Sequence, residues 1–252
     1  MRQSRRYRGY TAHPESPKWT SGGQDKVEGV RAFDLSTAHS GGGCWDLNIK
    51  EHRELARRMC ADDDPDWVIG SPPLLDISVL RRWNHKRMGV GDVRKRHRDS
   101  RRHLEFCVVL FNDQFARGKH VLHAHPLGAS SWKEGCIEVL AGKPGLSTTV
   151  GHMCRYDMKV DDELGINKLI MKPARWLISS EPMLRRLSSR CRRDYDHGSL
   201  LNGKAAQAAV RPDRLCVDIL KGMRDTVIEK DMNMELRNGE RSQNMINFSR
   251  TE

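Results

Sequence analysis

No two of the seven cysteines (Cys44, Cys60, Cys107, Cys136, Cys154, Cys191 and Cys216) form a Cys-x-x-Cys pair. The odd count and scattered spacing argue against a disulfide framework and for reduced thiols in an intracellular protein. No apolar run approaches 18 residues, so no transmembrane helix is expected. Met1 to Arg8 is basic without an apolar core, which is not the pattern of a secretory signal. There is no internal repeat. Apolar residues are also sparse, at 37% hydrophobic against 31% charged, so part of the 252-residue length is expected to be tail or loop.

Basic charge is plentiful. The chain carries a net +11 with pI ≈ 9.5, which favours an anionic partner, nucleic acid before a membrane surface. Ten Lys and Arg against two Asp fall between Arg81 and Arg102, a net of +8. The basic surface is therefore local, with Arg81, Arg82, Lys86, Arg87, Arg94, Lys95 and Arg96 as candidate contacts to DNA or RNA. The alternative for such a run is a solvated helix face. A nucleic-acid partner makes the nucleus one candidate compartment.

Three segments are expected. Residues 1–29, rich in Arg, Ser, Gly and Pro, read as disordered; residues 30–231 form an α/β domain; residues 232–252 are a polar tail. Strand candidates are Arg31–Leu35, Trp67–Ile69, Lys119–Ala124, Ser147–Met153 and Arg175–Ser179. Helices are expected from Asn48 (as N-cap) to Ala61, from about Val93 to Arg117 and over Ser131–Leu140. Others are expected over Glu181–Arg190, capped by Ser180, and from Arg211 to about Lys230. Strands alternating with helices imply a doubly wound, mostly parallel sheet of Rossmann type, with an incomplete first strand because no apolar run precedes Phe33.

The most distinctive stretch is Asp66-Trp-Val-Ile-Gly-Ser-Pro-Pro-Leu-Leu-Asp-Ile-Ser78. A short apolar strand ends abruptly at a glycine, a serine and two prolines that fix a stiff, extended loop. In open α/β sheets ligands bind just beyond such strand ends. With Phe33-Asp34, Trp45-Asp46-Leu47 and Leu122-His-Ala-His-Pro126, this stretch resembles the catalytic half of a DNA cytosine-5 methyltransferase. Lys172-Pro-Ala-Arg-Trp-Leu-Ile-Ser179 is closer to the divergent domains of this kind in retroelement polyproteins of some eukaryotes. The resemblance spans roughly Val30 to Met223 through four short stretches. It implies an S-adenosylmethionine site with Asp34 on the ribose, Asp46 near the adenine, and Gly70, Ser71 and Pro72 in the loop.

The resemblance fails where chemistry is required. The family reaction needs a thiolate directly after the diproline to add to cytosine C6, and a carboxyl group from the neighbouring strand to act at N3. Leu74 and Ala124 occupy those positions, so no catalytic residue is expected. A glycine-rich loop that would let backbone approach the cofactor is also missing upstream of Phe33. Cys107 falls on the apolar face of a helix and reads as core, and nothing marks Cys154 as activated. The readings are then a degenerate, catalytically inactive domain with a nucleic-acid-facing surface, an S-adenosylmethionine-dependent enzyme acting without the loop cysteine, and a decayed mobile-element fragment. His120, His123 and His125 with His152 and Cys154, and separately Cys191 with His197, form loose clusters. Without a close-spaced zinc pair they read as interior histidines, and no metal is expected.

Overall fold

A computed structural model of the chain describes residues 7–11, 27–33, 37–39, 42–72, 90–161, 165–200, 208 and 210–248. The strands are β1 (Tyr7–Thr11), β2 (Val27–Ala32), β3 (Trp67–Gly70), β4 (His120–Pro126), β5 (Ser147–His152), β6 (Lys159–Asp161), β7 (Asn167–Leu169) and β8 (Pro173–Ile178). The helices are α1 (Lys50–Asp63), α2 (Val90–Ala116), α3 (Gly135–Ala141), α4 (Glu181–Leu187) and α5 (Asp213–Phe248).

The protein is mixed α/β around a mixed sheet. In β3-β4-β8-β5, β3 and β4 pair in parallel while β8 runs antiparallel to both its neighbours. Beyond β3 the sheet continues in parallel through β1 to β2, giving the order β2-β1-β3-β4-β8-β5. The small β6-β7 pair stands apart.

The expected mostly parallel sheet is found in part: β2, β1, β3 and β4 pair in parallel, and β8 runs antiparallel to both its neighbours. A parallel neighbour needs a long crossover connection, usually a helix. Among the described residues between β5 and β8 are one 3-10 turn, Met153–Tyr156, and the antiparallel strands β6 and β7, with no crossover helix. The chain therefore returns antiparallel. The expectation of an unstructured 1–29 segment meets β1 and the start of β2 there. Tyr7–Thr11 reads YRGYT, without an apolar run to announce it, and its pairing partners are remote in sequence.

Strand side chains alternate between two cores. Val68, Val121 and Leu177 face Leu104, Val108, Phe111, Ile137 and Leu140 of α2 and α3, with Ala56 and Cys60 of α1. Trp67, Ile69, Leu122, Trp176 and Ile178 face the other way, onto Met183 and Leu187 of α4 and Leu215, Ile219 and Met223 of α5. This period-2 division is what a sheet covered on both faces requires.

Local signals explain most boundaries. Ser180 caps α4, its hydroxyl accepting from the Met183 amide. Gly118, at φ 68°, ends the turn after α2. α1 begins one residue later than Asn48 as N-cap suggests, with Ile49 at its N-cap, because the Asp46 carboxylate already accepts from the Asn48 amide. α5 runs 36 residues, well past Lys230. No proline interrupts Met232 to Phe248, and Met, Leu and Glu there are good helix formers.

Candidate functional site

The diproline loop leaves the carboxyl end of β3, and two bonds clamp its start onto β4. The Ser71 hydroxyl donates to the Ala124 carbonyl at 2.9 Å. His125 reaches the loop from the next position, with Nε2 2.8 Å from the Pro72 carbonyl and Nδ1 2.7 Å from the Ser131 hydroxyl. A carbonyl only accepts, so Nε2 carries the proton and Nδ1 accepts from Ser131. That fixes the tautomer. Burial pushes His125 down to about 4, against the pull of the Pro72 carbonyl. The ring is therefore a neutral clamp at pH 7, with both nitrogens occupied.

His123, two residues earlier on the same strand, lies at the opposite extreme of exposure from a working base. It is fully buried, and its ring meets Phe111, His125 and Trp132 edge to face. Burial holds it neutral, well below the ordinary histidine range. His120 stacks on Trp67 at 4.8 Å. The three β4 histidines thus serve packing and the loop clamp, and do not converge on a shared ligand.

The two glycine-and-proline positions assigned to cofactor contact have visible packing roles. A Cβ on Gly70 would lie 2.3 Å from Cys107 Sγ and 2.7 Å from the Phe111 ring, so glycine lets α2 approach β3. Pro72 is buried and Ser71 half-buried. Asp46 is half-buried beside α1, with its amide donating to His52 Nδ1 at 3.0 Å and its carboxylate accepting from the Asn48 amide. Asp34 and Leu74 lie outside the described residues, as do Arg81, Arg82, Lys86 and Arg87.

Beside Ser71 and His125 is a cavity of about 130 Å³, bordered also by Lys172, Trp176, Arg211 and Leu215. Its volume is below the roughly 300 Å³ of a typical small-molecule site. Neither a carboxylate nor a thiol is among its described lining residues. Burial, then the neighbouring Arg211 charge, lowers the Lys172 ammonium, which donates to the Ala208 carbonyl. Two cations and a hydroxyl can hold an anionic group here.

Cys107 offers no substitute nucleophile. It is 5% exposed behind Gly70, and burial pushes its thiol far above the ordinary range.

α2 carries the basic residues that are described. The helix packs on the carboxyl end of β3 through Cys107 and Phe111, and its first turns precede that contact by more than ten residues. Arg94, Lys95 and Arg96 are exposed there. Arg101 and Arg102, further along, face Glu134 and Asp99. Sequence reasoning found the basic run and the loop. It missed the His125 clamp and the Lys172–Arg211 pair, because both depend on contacts across 39 to 53 positions of sequence, and only the buried setting distinguishes these residues from ordinary polar ones.

Comparison of the chain with protein-family models, with curated proteins and with solved structures finds no match. No helix among the described residues is long and apolar enough to cross a membrane.

Proposed function

We propose that the chain is a degenerate DNA cytosine-5 methyltransferase-like domain, without catalytic activity, that binds DNA or RNA through the basic segment after its diproline loop. The observation that carries this reading is the Ser71–Ala124 bond. It sets the strand end that leads into the loop beside the β4 position where the family reaction needs a carboxyl group, and that position holds alanine. The next loop residue after the prolines, Leu74, has no nucleophilic atom either.

Three further observations support the reading. The order β2-β1-β3-β4-β8-β5, with one reversed strand next to the edge, is compatible with a Rossmann-like methyltransferase sheet. The neutral, fully bonded His125 holds the loop without offering base chemistry. The exposed Arg94, Lys95 and Arg96 stand near the start of α2, where the helix dipole favours the opposite sign, so helix stability does not account for them. The S-adenosylmethionine part of the resemblance is weaker. β1 is in the sheet, but the ten residues after it, Ala12 to Ser21, contain no glycine to give a cofactor close backbone approach.

Titrating a fluorescent duplex with the protein at rising salt tests the nucleic-acid part. Log affinity should fall linearly with log salt, by about 0.9 for each phosphate contacted. Salt-independent binding, or none at low salt, would contradict it.

A further inference from the structure

The polypeptide from Ser188 to Leu200 contains neither helix nor strand, yet it is fixed on two sides. On one side the His152 amide donates to the Ser189 carbonyl at 3.0 Å, and the Cys191 amide donates to His152 Nδ1 at 3.0 Å. On the other, the Gly198 amide donates to the Leu169 carbonyl at 2.9 Å. A Cβ on Gly198 would meet Ile170 Cδ1 at 2.9 Å, so the segment lies close against the β7 strand. An irregular segment of this length needs more than a few backbone bonds to keep one conformation.

Between these anchors three side chains converge. Cys154 Sγ, Cys191 Sγ and His197 Nε2 all lie within 4.8 Å of one another. Cys154 comes from the 3-10 turn after β5 and is 5% exposed, while Cys191 is 9% exposed. Tetrahedral zinc, with bonds near 2.3 Å to sulfur and 2.0–2.1 Å to nitrogen, sets its ligands about 3.5 to 3.8 Å apart. Cys191 Sγ and His197 Nε2 are 3.5 Å apart. The surroundings also suit thiolates. The Arg193 amide donates to Cys191 Sγ at 3.3 Å, and Arg155, Arg190, Arg192 and Arg193 are close in sequence to the two sulfurs.

We propose that Cys154, Cys191 and His197 bind one zinc-class divalent ion, completed by a water, which staples residues 188–200 to the end of β5. Two sulfurs and an imidazole select a soft, tetrahedral cation over magnesium or calcium. The sequence spacing conceals such a site, because its first ligand is 37 positions before the second and no close-spaced pair announces it. The role is structural: the ion would replace regular hydrogen bonding as the constraint on this segment, and its loss would lower stability.

The test uses the full chain, expressed without a polyhistidine tag and kept reduced. Elemental analysis should find one zinc per chain, and cobalt substitution should give the thiolate charge-transfer and tetrahedral ligand-field bands. Changing even an outer-shell partner typically weakens metal binding 10- to 100-fold, so Cys154→Ser, Cys191→Ser and His197→Ala should each weaken it by more than about 100-fold, while Cys216→Ser leaves it intact. If a variant fails to fold, the cobalt spectrum and a competitive chelator titration of the unaltered chain still decide. Failure of the unaltered chain to bind zinc or cobalt would overturn the site. So would a Cys154–Cys191 disulfide in place of the metal, or metal binding unchanged by both serine variants.

Discussion

Replacing Arg94, Lys95 and Arg96 together with glutamate should weaken duplex binding by at least about 100-fold at physiological salt. Each cation that neutralises a phosphate adds about 0.9 to the steepness of log affinity against log salt, so losing three should flatten that slope by about 2.7. The reversal also places three carboxylates where phosphates would approach, which adds repulsion to the lost contacts. Folding should be spared. The three side chains are exposed near the start of α2, where the helix dipole favours acidic residues. Thermal melting of the variant checks that the fold survives, and anisotropy titrations at several salt concentrations measure the loss. Affinity and slope both unchanged would exclude this helix as the nucleic-acid surface, even if the protein binds DNA elsewhere.

Acid should unfold the protein in a window set by its buried histidines. An unfolded histidine titrates near 6.5, while the folded His125 is pushed down to about 4. Between those values the unfolded chain binds a proton that the folded chain refuses. The stability that His125 contributes is therefore complete above about pH 6.5 and is lost as pH falls through 4. The difference corresponds to about 3 kcal/mol. His103, His120 and His123 are lowered by burial as well, so they add to the same loss. The charges facing His125 point the same way: Arg211 opposes its protonation, while the Pro72 carbonyl only partly offsets burial. Urea unfolding at half-unit steps from pH 7.5 to 4.5 should show the midpoint falling steeply below 6.5, and His125→Gln should make that fall shallower. A midpoint flat across the range would show that these rings are not held neutral by the fold.

Elements that announce themselves by local chemistry were legible before any coordinates. Trp67–Ile69 is an apolar run closed by turn residues, Ser180 is a good cap followed by Pro182, and the α2 core face repeats Leu104, Val108, Phe111 and Phe115. Elements defined by remote partners were not. β1 has polar composition and becomes a strand only by pairing with β2 and β3, and β8 is reached through a connection in which no crossover helix is described. The same division runs through the site. The diproline and the leucine after it are visible in the sequence of residues 70–74, whereas the bond that holds Pro72 depends on His125 reaching it across 53 positions. Gly70 shows how a motif can mislead: the residue that resembles cofactor space also has a packing reason to be glycine, with Cys107 and Phe111 pressed against it.

In the proposed reading the start of the loop is held by Ser71 and His125, while leucine and alanine stand where the methyltransferase reaction needs a thiol and a carboxyl group. Incubating the purified chain with duplex DNA and methyl-labelled S-adenosylmethionine tests this most directly. No incorporation above a heat-killed control is the result that follows from leucine after the diproline and alanine on β4. Incorporation that rises with protein concentration would contradict it, and would require a catalytic group outside the residues assigned here.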